Sequence, residues 1–238
     1  MFFSNYFSYL IFALPVLILS LAAQAKVNSA YKKYSKIPNS RRISGAMAAQ
    51  MILNHYGITD VRIEMCSGKL SDHYSPNEKV IRLSQGVFSG TSVAAVGIAC
   101  HEAGHAAQHA ENYLPNTIRT ALVPVTNFGS RFGLIIAFLG YFLAYASHSD
   151  FGFYFIIAGL ALYGLVAVFQ LVTLPVEFNA SKRAMTVIEE TGMLAGAEYD
   201  GAKSVLSAAA MTYVAALATA VVNLLYYAFR LLGNNRRR

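Results

Sequence analysis

The chain has 238 residues, of which 55% are hydrophobic and only 13% charged, about half the charged share of an ordinary soluble domain. With a mean hydropathy of +0.43, that balance argues against a cytosolic globule, and a soluble core of ~100 residues plus four helices of ~20 would use up the length. The formal net charge of +7 is clustered rather than spread, and nothing in its distribution calls for nucleic acid. Cys66 and Cys100 are the two cysteines, too few for a disulfide framework and without CxxC spacing, so both are expected as reduced thiols.

Residues 1–25 carry no charge, and the apolar run 7–23 is long enough to cross most of a ~30 Å hydrocarbon layer, so 1–25 is expected to be a transmembrane anchor. A cleaved signal peptide would place basic residues before the apolar stretch. Here they follow it: Lys26, Lys32, Lys33, Lys36, Arg41 and Arg42 precede the first acid, Asp60. This order predicts an external N-terminus and a cytoplasmic residue 26 onward, with the basic run meeting anionic headgroups.

Residues 26–121 change to mixed polarity and are expected to form a cytoplasmic-face region. Ser44 can cap a helix carrying Met47, Met51, Ile52 and His55, which Gly57 stops. Residues 61–65 and 79–84 alternate charged and apolar side chains around a turn-rich stretch, which predicts two strands; the second could offer its edge to an extended peptide. Residues 83–100 are uncharged, but Ser84, Gln85, Ser89, Thr91 and Ser92 would need partners in lipid, so no span is expected there. Ser89 to Ser92 offer capping groups for a long alanine-rich helix that follows.

Residues 132–149 and 151–176 are uncharged apart from Asp150 between them and predict a helical hairpin across 122–173. Its tip, His148 to Asp150, lacks Lys and Arg and is expected outside, with Arg131, Lys182 and Arg183 inside. A cytoplasmic-face helix is expected over 174–203. The hydrophobic helix and basic tail of 204–238 read in two ways: a fourth span that leaves Arg230, Arg236, Arg237 and Arg238 outside, or a helix whose first half packs on the soluble part and whose second half dips into the bilayer. The fold class that results is a mainly α integral membrane protein with three or four transmembrane helices and a short β-sheet or hairpin.

His101-Glu102-Ala103-Gly104-His105 is an HExxH sequence on the predicted long helix. Its histidines lie one turn apart on one face, so both imidazoles can address a single ion, and Glu102 lies about 100° round the helix, beside a further coordination position. Zinc held by neutral ligands acidifies its water, and an adjacent carboxylate can take that proton and deliver it to a leaving amine. The pattern points to metal-assisted amide hydrolysis with Glu102 as base.

A third protein ligand is needed. His109 extends the i, i+4, i+8 series, but eight residues rise about 12 Å, out of reach of ligand bonds near ~2.1 Å. Glu111 is also too far along the helix, and it stands where HExxHxxGxxH spacing would require histidine. His55 and His73 stay open by spacing. Glu177, in the segment PVEFNAS, emerges from the hairpin on the same expected side as HExxH. With Pro175 suited to a helix's first turn, Glu177 reads equally as a ligand, as an acid complementing the helix dipole, or as a partner for Lys182 or Arg183. Cys100 is expected to pack, and Asp72 and His73 to order a turn. His109, Arg119, Arg183 and Tyr199 are the candidates for an oxyanion donor.

The residues resemble the YugP-like membrane zinc metallopeptidases and, more distantly, gluzincin membrane proteases of the CAAX-processing and heat-shock types. The resemblance covers nearly the whole chain after residue 40 and is strongest in 72–84, 92–119, 174–184 and 208–216. It implies a zincin-like metallopeptidase core, Zn²⁺ as cofactor, peptide-bond hydrolysis with substrates unassigned, and Glu177 completing a His101, His105, Glu177 metal site; the partners expected are peptide or protein substrates, membrane proteins among the candidates, and the lipid bilayer. Two departures stand out: Ser181 replaces the aspartate of the related proteases, and Ser75 replaces the usual aspartate after DHY. A non-proteolytic membrane scaffold or assembly factor with a structural zinc is the alternative, and a transporter is disfavoured because ionisable residues avoid the span centres.

Overall fold

The computed structural model describes residues 2–147 and 151–233. In chain order the elements are α1 (Phe2–Tyr34), α2 (Gly45–His55), β1 (Arg62–Cys66), β2 (His73–Ser75), β3 (Val80–Ser84), α3 (Gln85–Phe88), α4 (Val93–Ala110), α5 (Leu114–Ser147), α6 (Phe151–Thr191) and α7 (Ala197–Gly233). Four of these, α1, α5, α6 and α7, are long and apolar enough to cross a membrane. The protein is thus a mainly helical membrane protein with a small sheet. The expected hairpin tip at His148 to Asp150 and the arginines 236–238 lie outside the described residues.

The chain divides into two units. One comprises Met1–Ala22, Ile118–Leu174 and Tyr213–Arg238. Its α5 and α6 run antiparallel in very close contact, because glycines let the backbones meet. A Cβ at Gly133 would sit 2.9 Å from the Gly159 carbonyl oxygen, and one at Gly159 would sit 2.4 Å from the Ala137 nitrogen. Such small-residue seams are how helices associate where lipid removes the hydrophobic drive. Ala137, Ile156, Leu160 and Leu231 form the buried centre. Tyr226 of α7 meets Tyr9 of α1 edge to face at 5.0 Å. The outer faces expose Ile11, Ile18, Phe142 and Phe229, as a lipid-facing surface would.

The other unit comprises Ala23–Thr117 and Pro175–Thr212. Its core gathers Ile52 and Leu53 of α2, Ile81 and Leu83 of β3, Val96 and Ala103 of α4, Ile188 of α6 and Leu206 of α7. Ser44 Oγ accepts from the Met47 N–H, and Ser92 Oγ from the Ala95 N–H at 3.1 Å, so both expected caps form. Gly57, at φ 65°, supplies the left-handed turn after α2. The first half of α7 packs on this core through Ala202 and Leu206.

Three expectations change. The sheet order is β1-β3-β2, with β1 parallel and β2 antiparallel to β3; residues 80–84 are therefore central, and both of their edges are already paired. The turn-rich stretch contains a third strand, β2. Pro175 lies inside α6 rather than in a first turn. Membrane helices tolerate such a proline when packing secures the backbone around it, and Val176, Ala180 and Ala184 beyond it are fully buried.

Candidate metal centre

α4 and α6 cross at a point where neither has a side chain in the way. Gly104 supplies the space: a Cβ there would lie 2.6 Å from the Ala180 carbonyl oxygen. One turn apart on α4, His101 and His105 consequently face Glu177 of α6. His101 Nε2 is 3.3 Å and His105 Nε2 3.6 Å from Glu177 Oε2. The side chains are shielded, at 16% exposure for His101, 12% for His105 and 3% for Glu177. Burial of a carboxylate to that degree demands a partner. Glu177 is not a first-turn acid, since α6 begins at Phe151.

Both imidazoles are gripped from behind. His101 Nδ1 is 3.0 Å from the hydroxyl of Ser181. His105 Nδ1 is 3.0 Å from Gln108 Oε1. Gln108 is completely buried, and its Nε2 donates to the Val176 carbonyl at 2.7 Å and to Asn179 Oδ1 at 3.0 Å. Hydrogen bonds of this kind orient the ring and leave Nε2 for an ion. Burial works to lower the His105 pKa, but Glu177 and Glu102 outweigh it and the net direction is upward. Glu102 directly follows His101 on α4 and is partly exposed.

The other candidates stand elsewhere. His109 Nδ1 is 2.8 Å from the Tyr74 hydroxyl of β2, whose pKa burial pushes up to about 12. His73 Nδ1 bonds the Ser71 carbonyl at 2.8 Å, and His55 lies 3.8 Å from Glu190. Glu111 pairs with Arg183 Nη1 at 2.7 Å, and burial together with the neighbouring Glu189 raises the Tyr199 pKa. Asp72 Oδ1 accepts from the Ser84 N–H at 2.7 Å, ordering the turn as expected. Cys100 is buried in the core, which raises its thiol pKa. Gln108 and Asn179 were missed in the sequence. The signal was available for Gln108: a lone amide, one turn after His105 on the same face of an otherwise alanine-rich helix.

These donors suit zinc. Ligand bonds of about 2.1 Å at tetrahedral angles place neighbouring donor atoms ~3.4 Å apart, a value that lies between the 3.3 and 3.6 Å separations. Two imidazoles and a carboxylate, all within 4.8 Å of one another, leave a fourth position open, as catalytic rather than structural zinc sites do.

Span-length helices together with a buried group of two histidines and a glutamate make this a membrane protein of the metallopeptidase class. Residues 9–232 match the family described as "Putative neutral zinc metallopeptidase", and the chain belongs to that family. It is 41% identical over 219 residues to the "Putative membrane protease YugP" of Bacillus subtilis (strain 168), covering 92% of this chain and 94% of that protein. No solved structure matches the chain. Zinc is the metal that membership implies.

Proposed function

We propose that the protein is a zinc-dependent endopeptidase in which His101, His105 and Glu177 hold one Zn²⁺ and Glu102 is the general base. The observation that carries this reading is the convergence of His101 Nε2, His105 Nε2 and Glu177 Oε2 at 3.3 and 3.6 Å in a shielded site. Zinc, when bound, supplies Lewis acidity toward the scissile carbonyl and lowers the pKa of water there. Glu102 Oε takes one proton of the attacking water as the water oxygen bonds the scissile carbonyl carbon, and the same carboxylate then delivers that proton to the leaving nitrogen as the C–N bond breaks, giving a new carboxyl terminus and a new amino terminus. His101 and His105 stay neutral and oriented throughout, held by Ser181 and Gln108. Substrates are peptides or proteins, membrane proteins among them. The basic run after the first apolar stretch supports a site facing the cytoplasm.

Two substitutions test this. Glu177→Ala should lose zinc stoichiometry and affinity, whereas Glu102→Gln should keep zinc and lose peptide cleavage by at least two orders of magnitude. Unchanged zinc binding in Glu177→Ala would remove Glu177 as a ligand. A cellular role that survives Glu102→Gln would favour the scaffold alternative over the protease.

A further inference from the structure

His105 is supported by an amide that has no freedom to turn over, and the reason lies three residues away in a hydrogen-bond series. The Arg183 guanidinium can only donate, and its Nε–H points at Asn179 Oδ1 at 2.7 Å. That contact fixes which end of the Asn179 amide faces inward. The same oxygen accepts from Gln108 Nε2 at 3.0 Å, and Gln108 Nε2 also donates to the Val176 carbonyl at 2.7 Å. With its nitrogen committed to two acceptors, Gln108 must present Oε1 to His105 Nδ1 at 3.0 Å. An amide oxygen only accepts, so Nδ1 carries the proton, and the Nε2 lone pair is left facing Glu177. Turning Asn179 over would set its amide donor against the Arg183 and Gln108 donors, and turning Gln108 over, in a completely buried position, would set its oxygen against the Val176 and Asn179 oxygens.

We propose that Arg183 is a positioning residue that sets the tautomer of His105 through Asn179 and Gln108, keeping Nε2 free for the metal. This inference rests on the zinc assignment above. Arg183 is itself well anchored. Its Nη1 pairs with Glu111 at 2.7 Å, and its guanidinium lies 5.7 Å from the centre of the Tyr56 ring and 5.9 Å from that of Tyr113. The end of α4, the end of α2 and the C-terminal part of α6 therefore converge on the residue that starts the series. An ordinary structural ion pair would have no connection to the state of an imidazole on another helix.

The test uses purified full-length protein in detergent, stripped of metal and titrated with zinc against a chromophoric chelator, with the melting temperature of each metal-free variant recorded alongside. Gln108→Ala should weaken zinc binding about 10-fold or more, and Arg183→Ala should weaken it several-fold. The double variant should bind no more weakly than Gln108→Ala alone, because both changes break one series. Gln108→Glu should also weaken binding, since its carboxylate would face the Val176 and Asn179 oxygens without a donor. Nitrogen-15 histidine spectra of the metal-free protein, recorded at alkaline pH where the His105 signals no longer move with pH, should show His105 as the Nδ1–H form in the wild type and as a mixture of tautomers in Arg183→Ala. Asn179→Ala interrupts the series while leaving the Glu111 pair intact, and replaces Arg183→Ala if that variant does not fold. Wild-type affinity with an unchanged tautomer in these variants, losses that multiply in the double variant, or full affinity in Gln108→Glu would each overturn the proposal. Failure of the wild type to take up zinc would instead overturn the metal assignment.

Discussion

Gly104 illustrates how much of the site depends on an absent atom. The x of HExxH that precedes the second histidine has no role in coordination, yet it is where α4 and α6 touch, and a methyl group would lie 2.6 Å from the Ala180 carbonyl oxygen. Backbone cannot give way as a flexible side chain can. Gly104→Ala should therefore separate His101 and His105 from Glu177 and lower zinc affinity at least 10-fold, read by chelator competition, while a helix propensity argument alone would predict stabilisation. A protein that keeps wild-type affinity with alanine at 104 would show that the helices can part without disturbing the donors. The proton balance of the same site yields a second expectation. His105 has a pKa raised above its ordinary value in the metal-free protein, so its contribution to stability is fully present below that ordinary value and is lost as pH rises through the raised one. Zinc requires the deprotonated ring and acts oppositely. The gap in melting temperature between zinc-loaded and chelator-treated protein should widen from pH ~6 to pH ~8, and a constant gap would refute the linkage.

At the scale of elements, the long helix α6 shows both what local patterns reveal and what they miss. Its C-terminus is closed by a side chain from far upstream: Arg41 Nη1 donates to the Thr191 and Gly192 carbonyls at 3.0 Å each, with Gly192 at φ 63°. Arg41→Ala should cost about 1 kcal/mol and lower the melting temperature by a few degrees without changing zinc stoichiometry. No shift in melting temperature would mean that water replaces the guanidinium at no cost. Residue patterns identified the caps at Ser44 and Ser92, both long strands, the HExxH helix and every long apolar segment, because each is written in neighbouring residues. They gave Pro175 the wrong place, since proline marks a helix start in water and is tolerated mid-helix where packing holds the backbone. β2 is three residues long, too short for alternation to register, and the parallel partnership of β1 with β3 leaves no local trace. Spacing alone left Glu177 one of several candidates and the family resemblance singled it out; the Gly104 crossing brings it up to the two histidines, and Gln108 and Asn179 matter only through contacts that the chain order hides.

At the scale of the molecule, charge is a statement about orientation. Lys26, Lys32, Lys33 and Lys36 are all exposed, and none of them has a carboxylate partner among the described ion pairs. Four unneutralised cations at the end of a span-length helix resist translocation, which predicts that this segment lies in the cytoplasm. The two native cysteines make the point accessible to experiment, because Cys100 is fully buried and only Cys66 is reachable. In a Cys66→Ser background, Lys36→Cys should react with a membrane-impermeant maleimide only after the membrane is opened. Converting Lys26, Lys32 and Lys33 to Gln should then produce a fraction labelled in sealed right-side-out membranes, because the charges that hold the orientation are gone. Labelling of Lys36→Cys in sealed membranes without that change would place the segment outside. It would also move the HExxH unit, which contains the same residue within Ala23–Thr117, to the opposite face, where the peptides it meets would be external ones.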